Sequence, residues 1–191
     1  MLLNKFHFLS IFTIFISTYS IAQITDIQML FSIAEKTHKV GIAKKSKIVD
    51  ARPAKAGEIV ITNIKNEGVE TQSPPAKEGD MVVKNRCPET GNEEILVSKN
   101  KFLQRYEGPL SDKNPQLSNE WQSYKPKGIE MEYFIVSPQD GNLKFIAPWG
   151  EEMIAYPGDV IVRAPNDHKD TYRIAKAAFS CTYEIINPAK Q

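Results

Sequence analysis

Two aspartates stand at matched places in this chain. Asp80 lies in EGDMVV and Asp159 in PGDVIV, each preceded by glycine and followed by three aliphatic residues. Paired carboxylates are a residue type suited to general acid–base work, and His168 adds a group that titrates near neutrality. Asp159 and His168 therefore define one reading, a small hydrolase or sugar-processing enzyme. The competing reading is local. An aspartate at a tight turn accepts hydrogen bonds from nearby backbone N–H groups. Pro157 and Gly158 suit positions i+1 and i+2 of a type II turn, where glycine takes the positive φ. On this second reading Gly79, Asp80, Pro157, Gly158 and Asp159 are structural, and no catalytic residue is assigned. It is the reading preferred here, because no serine or cysteine stands beside a histidine as an activated nucleophile.

The segments after the two Gly-Asp strands carry more recognition chemistry than the turns before them. Arg86, Glu89, Asn92 and Glu93 follow the first strand; Arg163, Asn166, Asp167, His168 and Asp170 follow the second, with Arg173 just beyond. An arginine in such a loop can hold a carboxylate or phosphate. Trp149 can stack a planar ligand. If the two segments face one cleft with Trp149 at its rim, then Arg86, Glu89, Asn92, Trp149, His168, Asp170 and Arg173 form a candidate site for a small molecule or a protein. The competing reading is a pair of solvated loops with Trp149 in the core.

Metal and redox chemistry find less support. PGDVIVRAPNDH, Pro157 to His168, resembles the second motif of the cupin family, in which a Pro-Gly-Asp strand leads to a metal-binding histidine. The resemblance implies further histidines and a glutamate on an earlier strand pair. Past the N-terminal segment, the only other histidine is His38, so no metal or other cofactor is assigned. Cys87 and Cys181 are the two cysteines, and neither has a partner at zinc-ligand spacing. They occupy different places within the two Gly-Asp units, and bridging needs Cα atoms within about 7 Å. Two free, partly buried thiols are favoured over a disulfide.

Composition bounds the remaining classes. The 191 residues hold 24 Lys and Arg against 23 Asp and Glu, so nothing marks an electrostatic footprint for nucleic acid. Met1 to His7 carries Lys5, and Phe8 to Ile16 is a short apolar core ending before Ser20-Ile21-Ala22. This pattern predicts a cleaved export signal with the cut after Ala22. The mature chain is then periplasmic or secreted, with no stable membrane insertion.

The elements that must position these groups are short. Ile27, Leu30, Phe31 and Ala34 fall at i, i+3, i+4 and i+7, predicting a helix capped by Asp26. Lys39 to Lys55 is locally basic and reads as a linker or an edge strand. From Gly57 onward, apolar triplets alternate with Gly, Pro and Asn turns, which predicts strands. Asp80 to Tyr106 spans 26 positions and Asp159 to Tyr183 spans 24. Each stretch runs through an apolar strand and a helical turn to Tyr-Glu. The fold expected is mainly β: two tandem barrel- or roll-like repeats of about five short strands each, packed pseudo-symmetrically. The divisions are a signal peptide (1–22), a short helix and basic linker (23–56), a first repeat (57–107), a linker (108–128) and a second repeat (129–187).

PGDVIV (157–162), TYRIA (171–175) and FSCTYE (179–184) resemble the PGDYG-type domain family of uncharacterised bacterial and phage proteins. EGDMVV (78–83), EEILV (93–97) and KFLQRYE (101–107) match it more loosely. The third residue after Asp is aromatic in neither copy, a departure from the family pattern. The resemblance implies a fold module present twice and carries over no catalytic residue. The function expected is that of an exported, non-catalytic binding module working through the loops that follow the Gly-Asp strands.

Overall fold

The computed structural model describes residues 24–111 and 120–190. The segment expected to be an export signal lies outside the described residues, as does part of the 108–128 segment. Among these residues the fold is mainly β, built from antiparallel sheets with three short helices.

Helix α1 (Ile27–Lys36) comes first, with the Asp26 carboxylate accepting from the N–H groups of Gln28 and Met29, both at 3.0 Å. Its buried face is Ile27, Phe31 and Ala34. Strands β1 (Gly41–Lys45) and β2 (Val49–Pro53) follow. A hairpin of β3 (Ile61–Ile64) and β4 (Gly68–Gln72) leads to β5 (Met81–Asn85) and β6 (Glu94–Val97). Helix α2 (Lys99–Arg105) then runs into β7 (Tyr106–Glu107). The second half repeats this order. It comprises β8 (Gln122–Pro126), β9 (Glu130–Ile135), a hairpin of β10 (Leu143–Ile146) and β11 (Glu152–Ala155), β12 (Val160–Ala164) and β13 (Asp167–Ile174). Helix α3 (Lys176–Thr182) and β14 (Tyr183–Asn187) complete it.

The strands form two five-stranded sheets of order β6-β5-β2-β8-β7 and β13-β12-β9-β1-β14. Position by position the two orders correspond, except that the two halves exchange one strand. β1 precedes β2 in the chain yet lies between β9 and β14, with Ala43 opposite Met131. β8 precedes β9 yet lies between β2 and β7, with Asp50 opposite Ser123. Two expectations are thereby corrected. The basic stretch within 23–56 is not a linker, because it supplies a central strand to each sheet. The 108–128 segment likewise contains β8. Each half contributes seven strands, a five-stranded sheet and a hairpin, where about five were expected.

Each half has its own aromatic lock. Phe102 stacks on Tyr106 with ring centroids 5.1 Å apart, and Phe179 stacks on Tyr183 at 5.0 Å. The i, i+4 spacing puts both rings on one side of the helix end. Tyr124 of β8 meets Phe102 edge-on, and Tyr133 of β9 meets Phe179. Helix α1 has no counterpart among the described residues of the first half. It packs Phe31 on Phe134 and closes a core with Val136, Phe145, Met153 and Ile161. Arg163 fastens it there, donating to Glu35 and Glu132 while its guanidinium lies 3.9 Å from the Phe31 ring centre.

Candidate functional site

The two Gly-Asp turns are built alike. Gly79 and Gly158 take φ of 87° and 98°, the left-handed region that a type II turn requires of its third residue. Asp80 accepts from the N–H of Lys77 at 2.9 Å and of Lys99 at 3.0 Å. Asp159 accepts from the N–H of Tyr156 at 2.8 Å and of Lys176 at 3.0 Å. Lys99 and Lys176 are the first residues of α2 and α3, whose N-caps Ser98 and Ala175 make no side-chain cap bond. The aspartates supply from a distance the anion that a helix start favours. Asp159 also receives Arg173 Nε at 2.7 Å. His168 is exposed. Asp159 thus caps its own turn, and no bond joins it to His168.

The segments after the Gly-Asp strands are placed by the packing of one half on the other. Each docks on the opposite half's helix. In the first, Cys87 is joined by a disulfide to Cys181 of α3, with Cα atoms 6.0 Å apart. The expectation of two free thiols is corrected. Although the cysteines hold unlike places within their halves, the packing of one half on the other brings them into range. In the second, Asp170 pairs with Lys101 at 2.5 Å and with Arg105, both on α2.

What lies between the halves is a cavity of about 390 Å³ with walls from both. Of the expected site residues, Trp149, Asp170 and Arg173 line it. The Trp149 indole donates to Thr71 Oγ1 at 3.2 Å, across to the first half's hairpin. Arg86, Glu89, Asn92 and His168 are not in its walls. Arg86 instead donates to Asp50 and to Ser123, tying β2 to β8. Glu89 is exposed, its carboxylate 3.4 and 3.3 Å from the two bonded sulfurs. Asn92 closes a loop at φ 56°. Cys87, Glu89 and Cys181 each place a potential metal-ligand atom within 4.8 Å of the others. With the sulfurs joined they offer no thiolate pair.

Most of the cavity's other charged groups lie outside the segments that the sequence singles out. Lys45, at the end of β1, donates to Asn85 Oδ1 at 2.6 Å. Asn85 in turn donates to Glu93, which also accepts from Thr90. Burial pulls the Lys45 amine down to about 8. Arg105 Nη1 lies 3.4 Å from Tyr172 Oη, and the Tyr183 phenol lines the wall beside Tyr172. Burial pushes the Tyr183 phenol well above its ordinary value and the Tyr106 phenol up to about 12, so both remain protonated donors through the physiological range. Elsewhere in the wall, Glu70 pairs with Arg173 at 2.7 Å. Burial outweighs that cation and raises Glu70 to about 7. The missed residues had one faint signal in Tyr106 and Tyr183, which close the two matched stretches.

Apolar surface completes the walls: Met131, Met153, Ile95 and Ile174 face the same space. The cavity reaches the surface beside Pro74, Pro75 and Ile129, all exposed.

No family model matches the chain, and neither the curated proteins nor the solved structures give a match.

Proposed function

We propose that the protein is an exported, non-catalytic binding module that takes a small organic molecule in the cavity between its two halves. The observation that carries this is the composition of that cavity. It combines a volume within the range of ligand sites, mostly apolar wall surface and inward charged and polar groups able to orient a ligand, features of a small-molecule pocket. The strand exchange supports the same reading, because a site whose walls come from two interlocked halves is held rigidly and orders little on binding. The N-terminal Lys5, apolar core and Ser-Ile-Ala sequence support export.

The two halves are further taken as tandem copies of one PGDYG-type module. Matched sheet orders and the paired bonds of Asp80 and Asp159 support that reading. The Gly-Asp turns then serve folding, and binding has moved from the loop tips inward to Trp149, Asp170, Arg173 and their neighbours.

Titration with N-phenyl-1-naphthylamine, an uncharged dye that brightens in apolar surroundings, tests the cavity. One saturable site is expected, lost in Ile95→Trp, which fills the space from β6, while thermal melting shows that variant still folded. Absence of saturable binding by this dye and by its sulfonated analogue, or binding unchanged in the folded Ile95→Trp variant, overturns the reading.

A further inference from the structure

We infer that the cavity selects an amphipathic organic anion, its charged head held by Lys45, Arg105 and the Tyr172–Tyr183 phenol pair and its apolar body lying on Met131 and Met153. This deepens the proposed function and rests on it.

The geometry behind it is an excess of donors at one part of the wall. Lys45 Nζ has three protons, and its one hydrogen bond is to a neutral amide oxygen. No carboxylate lies within ion-pair reach of it among the described residues. Arg105 is committed to Asp170 through Nη2, while Nη1 makes only the long contact to Tyr172. Around this point Lys45, Lys101 and Arg105 supply three positive charges, and Asp170 and Glu93 supply two negative ones. That is an excess of one positive charge at this part of the wall, which a bound anion neutralises; the wall's other carboxylates, Glu70 and Asp80, are held by Arg173 and by the backbone N–H groups of Lys77 and Lys99.

The two carboxylates do not cancel the preference. Asp170 accepts from both Lys101 and Arg105, so its charge is offset twice. Glu93 is turned to Asn85 and Thr90, its two oxygens each filled by a donor. An incoming oxyacid would take charge-assisted hydrogen bonds that water supplies poorly in so apolar a surround. A neutral ligand of the same shape would leave the Lys45 ammonium facing it unpaired. A cation would be repelled.

Two dyes with one skeleton isolate the charge: 1-anilinonaphthalene-8-sulfonate carries a sulfonate where N-phenyl-1-naphthylamine has hydrogen. Fluorescence titrations at pH 7 should show the sulfonate bound at least about tenfold more tightly than the neutral dye, as one charge-assisted hydrogen bond is enough to provide. Lys45→Met, a replacement of similar length, should remove most of that preference and bring the two dyes' affinities to within about threefold of each other. Equal affinity of the two dyes for the native protein, or a preference that survives Lys45→Met, overturns the inference while leaving the cavity reading intact. If neither dye saturates, the cavity reading itself fails. A thermal melt of Lys45→Met establishes that it is folded. Should it not fold, Arg105→Gln and Tyr183→Phe in the same titration decide the matter, each expected to erode the sulfonate's advantage alone.

Discussion

Asp80 and Asp159 make the same two hydrogen bonds in the two halves of the fold, one to the turn three residues back and one to the first N–H of the following helix. They differ in one respect. Asp159 also receives Arg173, whose other nitrogens reach Glu67 and Glu70 across the interface. Asp80 is a cap; Asp159 is a cap and a counter-charge.

The difference predicts unequal costs. Asp80→Ala should lower stability by about 1–2 kcal/mol, the range for a lost helix cap. Asp159→Ala should cost about 3 kcal/mol, because a buried arginine loses one of its three carboxylates. Urea denaturation of both variants measures this, and equal losses would contradict it.

The disulfide joins the first half's loop to the second half's last helix, with 94 residues of separation between Cys87 and Cys181. In the chain-entropy treatment, a closed loop of that size stabilises by about 4–5 kcal/mol. Cys181→Ser should therefore lower the midpoint of thermal melting by roughly 10 °C, since each kcal/mol moves a domain of this size by about 2–4 °C. Identical melting curves with and without reductant would show that the bridge is not formed.

Anion binding should depend on pH through Lys45. The titratable and charged groups facing it are Glu93 from the loop before β6, Arg105 from α2 and Tyr172 from β13. Its amine titrates at about 8 in the folded protein against an ordinary 10.5. A lowered amine pKa means the folded chain holds fewer protons than the unfolded one between those values, so this group's cost to stability is full below pH 8 and disappears toward pH 10.5. Sulfonate affinity should accordingly be flat below pH 8 and fall above it toward that of the neutral dye. Glu70 acts in the opposite direction. Its pKa, raised from 4.5 to about 7, makes stability decline as pH rises through that window. Glu70→Gln should flatten the decline seen by chemical denaturation between pH 4.5 and 7.

Much of the fold was legible in the chain because it rests on local signals. Helix α1 followed from four apolar positions and Asp26; the turns followed from Pro157-Gly158 and Glu78-Gly79; the triplets after each aspartate became β5 and β12. The strand exchange left no such trace. β1 reads Gly-Ile-Ala-Lys-Lys and buries a side chain no larger than Ala43 on one face. Its lysines look solvated in sequence, yet Lys44 lies 3.5 Å from Glu184 and Lys45 lines the cavity. β8 is similarly quiet, and its aromatic signal, Tyr124, does not say which half it serves. The cavity was invisible for the same reason. Its walls come from strands whose partners lie far along the chain, so the sequence marks Trp149, Asp170 and Arg173 only as loop or rim residues and Lys45 only as part of a basic run.

The exchange itself predicts that damage in one half is felt in the other. Gly41 lies in β1, between β9 and β14, where an added Cβ would sit 2.5 Å from the Asn187 oxygen and the Ala189 nitrogen and 2.7 Å from the Tyr133 ring. Two of these atoms are backbone and cannot swing aside, so Gly41→Ala should push β14 off its partner at a cost of about 1–3 kcal/mol, the usual range for overpacking. Hydrogen exchange locates the damage. Amides of β14, from Tyr183 to Asn187, should lose protection together with those of β1, although 142 positions separate Gly41 from Tyr183. Amides of β5 and β6, which pair in the first sheet, should exchange as in the native protein. Loss of protection confined to residues near position 41, with β14 unaffected, would mean that β1 does not hold the chain's last strand.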